Sequence, residues 1–236
     1  MLVAAAVCPC PPLLVPEVAT GAAPELDPAR DACADVLGVL AAARPDRLVV
    51  VGPAGQDASH PEGAHGSFRG FGVDLGVRLG RDRGSAAAGA PLPASLAVAA
   101  WLLGRVGWTH APMEGLGVAE PTAVERCVRL GRDISGAAER VALLVMGDGS
   151  ACRTLKAPGY LDDRAAGFDA RVARALADAD VEALKALDAG LARELQASGR
   201  APWQILAGAA EGTDLRGTLL YDDAPYGVGY LVAAWS

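Results

Sequence analysis

The sequence predicts an α/β fold: a three-layer α/β/α sandwich around a mostly parallel central sheet. Two observations carry this. Three short runs, LVAAAV (2–7), RLVVVG (47–52) and RVALLVM (140–146), are apolar on both faces, as strands covered on both sides must be. Longer stretches of helical periodicity separate them, so strands and helices alternate along the chain. The 236 residues suffice for one large core, and 1–236 is read as a single domain.

The first strand, Leu2 to Val7, stops at Cys8-Pro9-Cys10-Pro11-Pro12, and a long loop covers 8–26. Asp27-Pro28 starts a helix, with Asp27 as cap and Pro28 in the first turn. That helix runs to about Ala43 with Ala32, Val36, Leu37 and Leu40 on its buried face. The strand Arg47–Gly52 follows, which predicts a parallel pair joined by a right-handed crossover. PAGQDASHPEGAHGSFRGFG (53–72) reads as a polar loop, long enough to suggest function. FGVDLGVRL (71–79) is expected as a strand, GSAAAGAP (84–91) as a surface linker, and Pro93–Val106 as an apolar helix. A helix at about 123–138 leads into the strand at 140–146, which ends in GDGSACR. Helices at about 162–178, 180–198 and 202–210 precede strands at about 215–221 and 227–235. In such folds, loops at the carboxyl ends of parallel strands build the site. Those loops begin here at Cys8, Gly52 and Gly147.

Hydrophobic residues make up 52% and charged residues 21%, as in a folded globular chain. The net charge of −7, with both signs interspersed, argues against nucleic acid or an anionic membrane as partner. Five cysteines (Cys8, Cys10, Cys33, Cys127, Cys152) share no spacing, so no disulfide framework is expected. MLVAAAVC lacks the basic start and the length of a signal peptide, and no apolar run reaches the roughly 20 residues of a membrane span. A cytoplasmic protein is expected.

Single motifs carry little chemistry. Cys8-Pro9-Cys10 is one half of a zinc pattern without the other, and reads equally as two buried thiols at a strand end. His60 and His65, five apart, suit a metal or a solvated loop. Ser150 follows a strand, as a nucleophile does, but GDGSAC breaks the G-x-S-x-G pattern and no histidine follows it, which excludes a hydrolase triad. Gly147-Asp148-Gly149 lacks the rest of a dinucleotide fingerprint, and no Walker sequence is present.

Taken together, the segments resemble the class III extradiol dioxygenase superfamily, the LigB-like proteins and their relative Memo. PCPPLLVPEV stands where that family has Pro-His-Pro-Pro, and RLVVVGPAG where it has a strand ending in Pro-His-Gly. GDGSACRTLKAPGYLDDRAAGFDARV is similar to its Gly-Asp-Leu-Ser-His-Arg stretch with the following Gly-Tyr-Asp and Phe-Asp. ASGRAPWQILAGA and YGVGYLVAAW resemble its last helix and closing strand. The resemblance implies Fe(II) held by two histidines and a carboxylate, a further histidine moving protons, and a catecholic substrate.

Carried over position by position, the resemblance puts Cys10 and Ala54 at the histidine ligands and Ala151 at the acid–base histidine. Gln196 takes the carboxylate position, with Glu194 two residues away. Asp148 and Ser150 precede the lost acid–base position at Ala151. Alanine offers iron no lone pair, and a lone thiolate at Cys10 favours zinc or copper. Three functions follow. The first is a dioxygenase-like protein without ring-cleavage activity and without a metal. The second is a metal-dependent oxidoreductase acting on an aromatic substrate, with a site relocated to Cys10, His60 and His65. The third is a module binding a small aromatic molecule, a partner chain or a second copy, with Arg153, Tyr160, Asp222, Asp223 and Tyr226 around its pocket.

Overall fold

The computed structural model describes residues 1–19, 21–82 and 90–236. Its strands are β1 (Leu2–Cys8), β2 (Arg47–Ala54), β3 (Ala58–His60), β4 (His65–Ser67), β5 (Gly76–Arg78), β6 (Met113–Ala119), β7 (Val141–Met146), β8 (Gly217–Asp223) and β9 (Tyr230–Trp235). Its helices are α1 (Asp27–Ala42), α2 (Ala94–Arg105), α3 (Val124–Gly136), α4 (Arg164–Ala177), α5 (Val181–Lys185), α6 (Ala189–Glu194) and α7 (Arg200–Ala209). Seven strands form one mixed sheet in the order β3-β6-β2-β7-β1-β9-β8, and β4 pairs with β5 apart from it. The four inner strands β6, β2, β7 and β1 run parallel, while β3 and β9 run against their neighbours.

Alternation along each strand feeds two cores. On β1, Ala4, Ala6 and Cys8 face α1 and α2, while Ala5 and Val7 face the side of α3, α4 and α7. β7 divides in the same way, with Leu144 and Met146 on one face and Leu143 and Val145 on the other. This is the expected three-layer α/β/α sandwich. The expected buried face of α1 is also found: Ala32, Val36, Leu37 and Leu40 are all in the core.

Several expectations need correction. β1 and β2 are parallel but not neighbours, because β7 hydrogen-bonds to both and lies between them. Asp27 belongs to the first turn of α1 and pairs with the buried Arg30 instead of capping the helix. Residues 53–72 are not all loop: they hold β3 and β4, and bury His60, Ala64 and Phe68. The strand expected at 71–79 shortens to β5, and the helix expected at 180–198 divides into α5 and α6, capped by Asp180 and Asp188. β6 was not foreseen. The linker at 84–91 lies largely outside the described residues. The exposed edge strand β8 carries a bulge at Leu220 that breaks its register, a device that discourages edge pairing.

Helices α3 and α7 touch backbone to backbone. A methyl group added at Gly131 would overlap the Ile205 carbonyl, and one at Gly208 would overlap the Val128 carbonyl. Elsewhere, Gly38 in α1 and Gly167 in α4 face open space. Gly→Ala inside a helix gains about 1 kcal/mol of propensity, whereas overpacking costs about 1–3 kcal/mol. Urea unfolding of Gly131→Ala and Gly208→Ala should therefore show net destabilisation, while Gly38→Ala and Gly167→Ala stabilise. Equal stabilisation at all four positions would mean that α3 and α7 are not in contact.

Candidate functional site

β1, β2, β6 and β7 end on the same side of the sheet, and the chain segments leaving them meet the start of α7. Asp148, two residues past β7, organises this end. Its Oδ1 accepts the Cys10 N–H at 2.8 Å, and its Oδ2 lies 3.8 Å from the Cys10 thiol. The Asp148 N–H donates to Ser198 Oγ at 3.1 Å, and its carbonyl accepts the Gly199 N–H at 2.9 Å. A methyl at Gly147 would collide with Gly199, so only glycine permits this approach. Burial raises the Asp148 carboxyl to about 6, against the opposing effect of its bonds from Cys10. Burial first, then the Asp148 charge, pushes the Cys10 thiol well up. Cys10 is thus a protonated thiol donating toward a carboxylate. Cys8 is fully buried, and a hydrogen bond to Cys33, then burial, raises its thiol too. All five cysteines are buried and free of disulfides.

A second carboxylate, Asp169 on α4, holds the next part of the loop. It accepts the Ser150 N–H and Ser150 Oγ–H, each at 2.7 Å, and Arg153 Nη1 at 3.0 Å. The hairpin between β8 and β9 closes over this loop: Gly149 N–H donates to the Gly229 carbonyl, and Gly229 N–H to the Ser150 carbonyl. Ser150 is completely buried, with its proton committed to Asp169, so it is no exposed nucleophile.

Ala151 and Cys152 are stitched to two turns. The Ala151 N–H donates to the Leu195 carbonyl and its carbonyl accepts the Gly159 N–H, while the Cys152 thiol sits 3.5 Å from both the Gly159 and Leu195 carbonyls. The residue after each of these carbonyls, Tyr160 (φ 62°) and Gln196 (φ 54°), is left-handed. Non-glycine residues hold that conformation at a cost of about 1–3 kcal/mol, and such strain gathers at functional sites. Gln196 in turn borders a cleft of about 180 Å³ lined by Pro53, Glu120, Ala192, Arg193, Ala197 and Ser198. The Arg193 side chain makes no hydrogen bond or ion pair with another described residue.

Four positions singled out by the resemblance therefore ring one end of the sheet, but not one point. Cys10 reaches the cleft only through Asp148 and Ser198. Ala151 reaches it through Leu195 and Gln196. Pro53 lines the cleft, while the Ala54 methyl packs over Gly117. Glu194 is exposed and paired with Arg164 at 2.7 Å. His60 is buried on β3, where burial lowers its basicity against a hydrogen bond with the Ala90 backbone. His65 is exposed on β4, in the other sheet, so the two histidines and Cys10 are not gathered. Among the described residues, no three His, Cys, Asp or Glu side chains group as a metal site. The residues at the expected ligand positions do not fit ferrous iron: a protonated thiol hydrogen-bonded to Asp148, an alanine methyl packed over glycine, and an amide at the separate cleft.

The expected pocket residues spread out. Arg153 joins Asp169, and its charge acts on Asp222, whose carboxyl burial raises. Asp223 accepts the N–H of Ala224, and Tyr226 donates its hydroxyl to Glu25 at 2.9 Å. Tyr160 is 62% exposed, and Leu155 (61%) and Leu161 (44%) are exposed as well. Asp169, Ser198, Glu120 and Arg193 were not foreseen. Asp169 alone left a trace in the sequence, as the second residue of the Phe168-Asp169 pair.

No protein-family model matches the chain, and no curated protein matches it. Among solved structures, the crystal structure of the uncharacterized protein JW3007 from Escherichia coli K12 is similar, with a TM-score of 0.54, 13% identity and 99% of each chain covered. That likeness concerns the fold alone. No helix among the described residues is long and apolar enough to cross a membrane.

The Asp148 carboxyl gives a signed pH dependence. Its folded value of about 6 lies above the unfolded 3.8, so the native state binds the proton more tightly. Its contribution is full below about pH 4 and is lost as pH rises through about 6, by at most about 3 kcal/mol. Asp148→Asn keeps the acceptor for Cys10 N–H without titrating. Urea midpoints measured from pH 4 to 7 should show a flatter profile in Asp148→Asn, with the variant gaining relative stability toward pH 7. Parallel profiles would assign the carboxyl an ordinary affinity.

Proposed function

We propose that the chain is a class III extradiol dioxygenase-like protein that works in the cytoplasm without ring-cleavage chemistry. The observation that carries this reading is the state of Cys10, at the expected first-ligand position. Its thiol is protonated, buried and turned toward Asp148, and neither Ala54 nor Ala151 supplies a replacement donor. Three or four protein ligands normally hold a catalytic metal. Nothing in the positions of His60 and His65 favours a relocated centre.

A second reading, the small-molecule module, is favoured by the cleft at Gln196. Apolar Pro53, Ala192 and Ala197 form one part of its wall, while Ser198 and the unpaired Arg193 offer polar contacts. Such a balance of apolar wall and few polar groups suits a small aromatic acid. Arg193 would take its carboxylate, and Gln196, held rigidly in its strained turn, would orient it.

Anaerobic reconstitution with ferrous iron, then exposure to catechol and protocatechuate in air, should give no yellow ring-opened product. Any such product, lost in Cys10→Ala, would overturn the first reading. For the second, a thermal-shift series with catechols and hydroxybenzoates should raise the melting temperature of the native chain, because ligand bound to the folded state stabilises it. Arg193→Ala should abolish that rise. No rise with any of these compounds would remove the binding reading.

A further inference from the structure

A larger concavity lies away from the strand ends. A groove of about 440 Å³ separates the second half of α4 from the segment running through α5 to the start of α6. Its volume falls within the ~300–1,000 Å³ typical of small-molecule sites. The floor is apolar: Phe168, Ala175 and Leu187 are buried there.

One wall carries two guanidiniums with a carboxylate at its end, and the other carries two carboxylates. Arg171, Arg174 and Asp178, at positions i, i+3 and i+7, fall on one face of α4 and its end. None of the three makes a side-chain hydrogen bond or ion pair with a described residue. Across the groove stand the two capping carboxylates. Asp180 Oδ1 accepts the Ala183 N–H at 2.9 Å, and Asp188 Oδ1 accepts those of Gly190 and Leu191 at 2.7 and 3.0 Å. The second oxygen of each is unused among the described residues. Those backbone bonds hold the Asp188 carboxyl below its usual value, so it stays ionised. The lip between the walls is already shaped: Ala179 is left-handed (φ 51°), and the Asp180 N–H is tied to the Ala175 carbonyl at 2.9 Å.

We propose that this groove binds a small zwitterion with an apolar body, an α-amino acid with an aliphatic or aromatic side chain. The carboxylate goes to Arg171 and Arg174, the ammonium to the free oxygens of Asp180 and Asp188, and the side chain to Phe168 and Leu187. A simple anion would gain two guanidiniums but face three carboxylates, and a simple cation meets the reverse. One small molecule bearing both charges complements both walls, while the floor discriminates by side chain. Two guanidiniums on one helix face suit a planar carboxylate. This site is separate from the Gln196 cleft, and the proposal stands or falls independently of the reading given for that cleft.

Calorimetric titration of the full chain at low ionic strength tests it, with L-phenylalanine and L-leucine as probes. The half-charged analogues 3-phenylpropanoate and phenethylamine serve as comparison. The zwitterions should bind at least tenfold more tightly than either analogue. The variant carrying Arg171→Ala and Arg174→Ala, two exposed positions, should lose at least tenfold in affinity with an unchanged circular dichroism spectrum, and Arg193→Ala should bind as the native chain does. The proposal is overturned by no heat from either zwitterion at millimolar concentration, or by analogues that bind equally. Binding that survives the double variant, or that Arg193→Ala abolishes, also overturns it.

Discussion

The segments leaving β1 and β7 bury their amide groups at the end of the sheet, and two aspartates make that feasible, Asp148 for Cys10 and Asp169 for Ser150. Buried N–H groups without partners cost about 1–3 kcal/mol each, and bonds to charged acceptors contribute about 1.5–3 kcal/mol. Asp148 and Asp169 share this task. One reaches forward to the chain after β1 and the start of α7, the other anchors the loop to α4. Removing the Asp169 carboxylate would leave the buried Ser150 N–H and hydroxyl without their acceptor, at about 1–3 kcal/mol for each unsatisfied group. Everything placed around the site, from Ala151 to the hairpin at Gly229, is positioned by this loop.

The same constraint explains the chemistry that the site lacks. A thiol beside a carboxylate that is itself partly desolvated keeps its proton, and a protonated thiol is neither a metal ligand nor a nucleophile. A serine whose proton belongs to a buried aspartate is likewise committed. What remains open to solvent is the cleft beyond Ser198, with Gln196 and Tyr160 fixed in strained turns and Arg193 free.

The inner strands were legible because burial on both faces leaves continuous apolar runs, as at 47–52 and 140–146. β6 was hidden by its own packing. Gly115 lies against Leu79 and Leu96, and Gly117 against Ala54, so the positions that would show β-branched residues are glycine. β3 and β4 have three residues each, too short for any periodicity, and they fall within a stretch whose Gly and His content reads as loop. The neighbour order β2-β7-β1 depends on pairings more than 90 residues apart in sequence, which local pattern does not encode. At the site, Cys10, Ala54, Ala151 and Gln196 were identified only through resemblance. Asp169 and Ser198 act through contacts 19 and 50 residues away; the Phe168-Asp169 pair marks the first only through the resemblance, and no local motif announces the second.

The central claim is that Cys10 is held protonated by its burial and by Asp148, and is not available to a metal. Cobalt(II) titration of the reduced, intact chain at neutral pH tests it most directly, because a cysteine thiolate bound to cobalt produces an intense near-ultraviolet charge-transfer band. The account predicts no such band at stoichiometric cobalt. A saturable band at one equivalent, lost in Cys10→Ser, would contradict it and restore a metal centre at the end of β1.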